Sequence, residues 1–400
     1  MRISALMPNL ATNHVVRVAP ILKALQRTHD VELIGVLRQG EELFPPFARE
    51  FDYRIVTWGG GGGFLGTLRD VEGAIRGDLI YAFQAATFSV GPALLGRMRR
   101  RVPVIIDMAD WEAWGMFRHR GRTQHALHVC RHLLGPGWRA PGSLKYRYLI
   151  EKLCARADAI TVVSTVLQKR FGGFLLRHGP DTTTFDPARF DRSALRDKWG
   201  LPHDRSLILF AGTPSNWKGV AQLVAALERL STDRVCLVMA GKPFPLTSDK
   251  MLHLGFVPHA AMPELLTLCD LVVLPQQNHP MAESQIPNKA FEAMAMAKPI
   301  VASAVGDMAE VLDGCGVVVE PENVDGLAHG IERVLSDRAW GEELGRRARE
   351  KCVREYSWDA IGRVLEGVLG PFLPRVRRAG YGVVKREFKP RTYGPADVSA

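Results

Sequence analysis

The sequence predicts an α/β protein of two domains, each built on a parallel sheet. Three observations carry this. Short apolar runs alternate with amphipathic stretches along nearly the whole chain, the pattern of stacked strand–helix–strand units. The buried-strand patterns fall into two groups: 2–7, 31–37, 79–82, 102–107 and 159–163, then 207–211, 235–240, 271–275, 300–303 and 317–319. Finally, 400 residues exceed what one compact core usually holds.

Helical spacing fills 15–27, 220–230, 289–297, 324–335 and 339–354 between those strands. Such alternation requires crossover connections, so the sheets are parallel and ligands belong at the carboxyl ends of the strands. Two Rossmann-like domains facing each other across a cleft follow. The polar stretch 178–204, punctuated by Pro180, Pro187, Gly200 and Pro202, reads as the junction. The expected division is 1–185, a linker 186–204, a second domain 205–355, a helix within 356–372, and a basic tail 373–400.

Composition is that of an ordinary globular chain, with 46% hydrophobic and 24% charged residues. No apolar run approaches the roughly 18 to 20 residues that cross a bilayer. The first residues lack a basic region followed by an apolar stretch, so no signal peptide is read there. Six scattered cysteines without a Cys-x-x-Cys pair suit free thiols in the cytoplasm better than disulfides or zinc.

The net charge of +10 is clustered. Arg97, Arg99, Arg100 and Arg101 close one helical stretch, 111–148 is rich in arginine, and the tail carries Arg375, Arg377, Arg378, Lys385, Arg386, Lys389 and Arg391. Such patches attract anionic head groups or phosphorylated substrates, or are simply solvated. In 111–148, Trp111, Trp114, Phe117 and Trp138 interleave with arginines, which suits a helix in a membrane interface; a covered core helix is the alternative. We take the first, a peripheral contact with an anionic membrane at its inner face, and expect no nucleic-acid partner. Gly59–Gly63 lacks the Gly-Lys-Ser/Thr of a Walker loop. His125, His128 and His132 can share a helix face, but Arg131 among them and the lack of an acidic partner argue against a metal.

The chemistry concentrates in 284–303, SQIPNKAFEAMAMAKPIVAS. A proline-containing loop enters a short helix, whose free N–H groups and positive dipole end suit a phosphate. Lys289 adds a cation at that start, Asn288 precedes it, and Glu292 one turn on can accept two hydrogen bonds from a ribose cis-diol.

On these residues the sequence resembles the GT-B glycosyltransferases, in particular the retaining family 4 group. That family carries two glutamates separated by seven residues, followed by Ala-Met-Ala-x-Gly-x-Pro-Val-Val-Ala-Ser. The match here runs from Glu292 onward, so the resemblance gives Glu292 the nucleotide ribose; Ser284 stands where the family has its sugar-contacting glutamate. The segment 211–219, AGTPSNWKG, resembles the loop beneath the donor pyrophosphate. Gly212, Lys218 and Gly219 match it, and Thr213 replaces an arginine. The resemblance implies that Lys218 neutralises the departing diphosphate without a metal or cofactor. Leu254–Pro258, with Val257, resembles the loop bordering the base. The resemblance further implies a final helix, 358–369, crossing back to the first domain.

The catalytic group is read from 107–112, where Ala109 replaces the family's histidine and Asp110 aligns with its acidic partner. Asp110 either contacts the reacting sugar or acceptor, or caps a loop. Asn13 and His14 lie after the first strand, where acceptors approach; His14 serves there as a base or is a surface histidine. The expected activity is transfer of a sugar from a UDP- or GDP-linked donor to a glycan or lipid-linked acceptor. The competing expectation is a non-catalytic nucleotide-sugar-binding scaffold. A nicotinamide dehydrogenase is disfavoured because no Gly-x-Gly-x-x-Gly follows the first strand.

Overall fold

The computed structural model describes residues 1–59, 63–111, 142–246 and 248–373. Residues 112–141, with their histidines, and the basic tail from 374 lie outside them, as do Gly60, Gly61 and Gly62.

Two sheets form, both wholly parallel. The first contains β1 (Arg2–Met7), β2 (Asp30–Arg38), β3 (Tyr53–Trp58), β4 (Leu79–Phe83), β5 (Val104–Met108), β6 (Ala159–Val162) and β7 (Phe174–Leu175), in the order β3-β2-β1-β4-β5-β6-β7. The second contains β8 (Ser206–Ala211), β9 (Val235–Ala240), β10 (Met251–Gly255), β11 (Leu271–Leu274), β12 (Ile300–Ser303) and β13 (Val317–Val319), in the order β10-β9-β8-β11-β12-β13. Each order reverses once, between β1 and β4 in the first sheet and between β8 and β11 in the second. Those reversals are where doubly wound sheets bind ligands.

Apart from the half-buried edge strand β13, the strands expected from continuous apolar runs are the buried central ones; β1, β4 and β5 are covered on both faces. The edge strands β3, β7 and β10 are half-exposed and carry no such run, so they are absent from the sequence reading. Each sheet has an apolar core on either face. One core of the first domain includes Ile361, Leu365, Val368 and Leu369 of the Trp358–Leu369 helix. Ser357 caps that helix by accepting from the Ala360 N–H, and the spacing of its apolar residues turns one stripe onto the Val15–Gln26 helix and β1. The chain therefore returns to the first domain.

The stretch 186–204 is not a plain linker. Asp191 caps a helix, Arg192–Trp199, which ends at Gly200 in the left-handed region. Phe190, Leu195, Trp199 and Leu201 pack on the core of the second domain, together with Phe185. Four apolar side chains outweighed the local proline and glycine signals, and the crossing between domains contracts to about 177–184, between Leu176 of the first core and Phe185 of the second.

The domains meet at the floor of the cleft through buried polar contacts. The Ser164 hydroxyl donates to the Ser284 carbonyl at 2.6 Å. Asp307 accepts from the Thr165 N–H and from Arg177, each at 2.7 Å. Arg97, Arg99 and Arg100, expected as part of a basic patch, are paired within the first domain with Asp158 and Glu72. Cys154, Cys236, Cys269, Cys315 and Cys352 are free and buried. Among the described residues no helix is long and apolar enough to cross a membrane.

Candidate functional site

The second sheet's reversal brings the loop after β8 against the loop after β11. Gly219 makes this approach possible: its φ is +66°, and a Cβ there would lie 1.6 Å from the Pro275 carbonyl oxygen. Only glycine fits. Lys218, just before it, donates from Nζ to the Thr213 carbonyl at 2.8 Å, so Thr213 contributes backbone. Lys289, at the start of the Asn288–Ala295 helix, reaches the same spot. A Cβ built on Gly212 would stand 3.5 Å from Lys218 Nζ and 3.8 Å from Lys289 Cε. Two ammonium stems and the bare α-carbon of Gly212 thus meet at the switch point.

Lys218 holds its proton less firmly than an ordinary lysine. Burial first, and the Lys289 charge second, bring its pKa down to about 8. An anion placed between the lysines offsets the Lys289 charge.

One turn along the same helix, Glu292 is buried. Its Oε1 accepts from Asn288 Nδ2 at 2.5 Å and sits 3.0 Å from His259 Nε2. Its Oε2 is equally buried and has no hydrogen-bond partner among the described residues. Burial raises the pKa of Glu292, but the His259 hydrogen bond and the Lys289 charge outweigh it, so the carboxyl lies below its ordinary range and is ionised. Asn288 therefore serves Glu292 rather than standing alone.

His259 was not foreseen. It follows the 254–258 loop by one residue and is held between Phe185, at 5.8 Å between ring centroids, and Phe47 of the first domain, at 6.1 Å. Val257 instead packs its side chain on the core of the second domain. The loop after β10 thus reaches the site through His259; a histidine followed by Ala260 and Ala261 carries no motif that would have revealed it.

Ser284, expected at the sugar end of the donor, is fully buried at the end of the Pro280–Ser284 helix. Its hydroxyl turns back to the Met281 carbonyl and its own carbonyl holds Ser164. It belongs to the domain contact rather than the cleft. The reason is local: the Pro287 turn starts the next helix afresh, so the two helices do not share one face.

Across the cleft, the first sheet's reversal at β1 and β4 presents a second cluster. His14, beside exposed Asn13, pairs through Nδ1 with the Gln84 side chain at the end of β4. Gln84 has a φ of +63°, unusual for a residue with a Cβ, and its N–H donates to the Asp107 carbonyl at 2.9 Å. Asp107 itself is consumed by a buried pair with Arg17 at 2.9 Å. Asp110, half-buried, follows β5 on the same edge. Among the described residues no group of acidic, histidine and cysteine side chains could hold a metal ion.

Residues 205–337 match the family model of glycosyl transferases group 1. A glycosyltransferase of Methanocaldococcus jannaschii without assigned function is 32% identical over 178 residues, covering 41% of this chain and 44% of its own. The alpha-maltose-1-phosphate synthase of Mycolicibacterium smegmatis is 30% identical over 213 residues, 47% of this chain and 54% of its own. The chain thus spans about half the length of the curated relatives it matches. In overall structure it resembles the sucrose-phosphate synthase of Thermosynechococcus elongatus (TM-score 0.70, 18% identity, covering 93% of this chain and 98% of that one). It also resembles Anabaena HepE in complex with UDP-glucose (TM-score 0.71, 18% identity, 93% and 100%). These likenesses establish the GT-B fold.

Proposed function

From a second domain that is a glycosyl transferases group 1 domain on a GT-B frame, we propose that this protein transfers a sugar from a nucleotide diphosphate donor to a glycan or lipid-linked acceptor. The observation that carries the reading is the buried, unpartnered Oε2 of Glu292. An unsatisfied buried acceptor costs about 1–3 kcal/mol, more when charged. A ribose cis-diol supplies the missing donor.

With the ribose on Glu292, the diphosphate would sit one helical turn away, at the helix start between Lys289 and Lys218. There the two cations and the free N–H groups balance the charge that grows on the leaving diphosphate as the bond to the sugar breaks. No metal is needed for that task. The sugar then faces the first domain, where Asp110 contacts the reacting sugar or acceptor, and Asn13 and His14 meet the acceptor. Attack from the face that the diphosphate vacates gives retention. Binding of UDP-glucose by HepE supports a UDP-linked donor, with GDP the other expectation. A cell-surface glycan precursor at the inner face of a membrane is the acceptor class we favour.

A thermal-shift screen with UDP, GDP, ADP and their sugars tests the donor site, because a ligand selective for the folded state raises Tm. No shift with any of them would refute the reading. The replacement of the sugar-end glutamate by buried Ser284 favours a second reading, a donor-binding scaffold. Donor binding without hydrolysis or transfer across an acceptor panel would select it.

A further inference from the structure

We propose that the second domain binds a phosphate-bearing small anion at the amino end of its sheet, opposite the cleft. A cavity of 520 Å³ opens there, lined by Arg192, Arg196, Arg205, Arg234 and Arg338. Its floor is the amino ends of the strands: Ser206 begins β8, Arg234 precedes β9 and Asp270 precedes β11. Its volume falls in the range of about 300–1,000 Å³ usual for small-molecule sites.

The charges of this cavity do not balance. Five arginines face two carboxylates, Asp204 and Asp270. Asp270 is shared by Arg192 and Arg196. Arg338 is taken by Glu342 at 2.8 Å, outside the cavity. Arg205 and Arg234 form no ion pair among the described residues.

Arg196 supplies the independent sign of a ligand. Its side chain is only 8% exposed. Its terminal nitrogens are spent on Asp270 at 3.0 Å and on the Pro202 carbonyl at 3.0 Å, yet its Nε is buried without any partner. Burial first and the Arg192 charge second weaken its hold on the proton, against the opposing pull of Asp270. A buried orphan donor next to uncompensated guanidinium groups is satisfied by an anion with several acceptor oxygens. The planar guanidinium fork matches phosphate in particular.

This site is distinct from the donor cleft. Ser206 and Ala211 are the two ends of β8, and a strand of that length separates the two by about 17 Å. Its success or failure is therefore independent of the function proposed above.

The test is calorimetric titration of the full chain with inorganic pyrophosphate, in a Lys218→Ala/Lys289→Ala background that removes the phosphate seat of the cleft. We expect binding in that background, and at least a tenfold loss when Arg205→Gln and Arg234→Gln are added. Those two side chains hold no partner, so the fold should survive, which an unchanged Tm checks. An Arg49→Gln/Arg69→Gln pair, exposed on the first domain, should bind as before. Flotation with phosphatidylcholine vesicles, with and without phosphatidic acid, separates the two sources of phosphate. Loss of binding to the acidic vesicles in the Arg205/Arg234 variant assigns a lipid head group; loss confined to pyrophosphate assigns a soluble anion. No pyrophosphate binding in the lysine background, no effect of the arginine pair, or an equal loss in the control pair would each overturn the proposal.

Discussion

At the reversal between β8 and β11, two lysines and a helix start converge beside a buried, ionised glutamate with one oxygen unclaimed. At the reversal between β1 and β4, the same sheet plan presents His14 tied to Gln84, and Asp110 on the neighbouring loop. The first cluster is incomplete in charge and in hydrogen bonding, and under the proposed function a nucleotide diphosphate would complete both. The second is close to self-satisfied. One side of the cleft thus defines its ligand by what it lacks; the other leaves its acceptor open.

Several substitutions break or sharpen that contrast. Lys218→Ala should lower kcat about 10²–10³-fold, the scale of removing one preorganised partner of a developing negative charge. Initial rates at saturating donor measure it, and a change under fivefold would remove the donor side's claim. Glu292→Gln keeps the shape but donates where the ribose also donates, so Kd for the free nucleotide should rise about 10–10²-fold in calorimetry, from one mispaired buried hydrogen bond. Unaltered affinity would mean that Oε2 meets no ribose.

The pH dependence follows from Lys218, whose pKa is brought down to about 8. A lysine is charged below its pKa, so its cation is largely present at neutral pH and is lost as pH rises through 8. The donor kcat/KM, which reports the free enzyme, should therefore fall on the alkaline side near 8. Lys218→Arg should move that limb beyond reach, and a limb that stays put belongs to another group. The smallest effect is expected across the cleft: His14→Gln should leave nucleotide Kd unchanged within about twofold, while raising acceptor KM. A parallel loss of nucleotide affinity would erase the division of labour between the two sides.

Much of this was legible in the residues. The central strands are continuous apolar runs because both of their faces are buried, and the Lys289 to Glu292 spacing puts both groups on one helical turn. What escaped depends on tertiary neighbours. Edge strands such as β10 bury too little to show a pattern. His259 matters only because Phe47, Phe185 and Glu292 converge on it from distant segments. Ser284 was placed by register with a motif, yet a fresh helix start at Pro287 turned it into the domain contact. The stretch 186–204 has the prolines and glycines of a linker, but its apolar residues decide.

The Trp358–Leu369 helix has a mechanical meaning. The chain passes between the domains twice, near Gly179 and again near Tyr356, and the two passages touch: Trp358 Nε1 donates to the Gly179 carbonyl at 3.2 Å. A Cβ on Gly179 would lie 2.1 Å from the Tyr356 carbonyl oxygen. A single tether would let one half swivel freely against the other. A doubled tether, joined at one point, permits fewer relative motions of the halves than a single one. Cutting the first passage with a protease would leave the halves joined by the second, so the nicked molecule should still migrate as one particle.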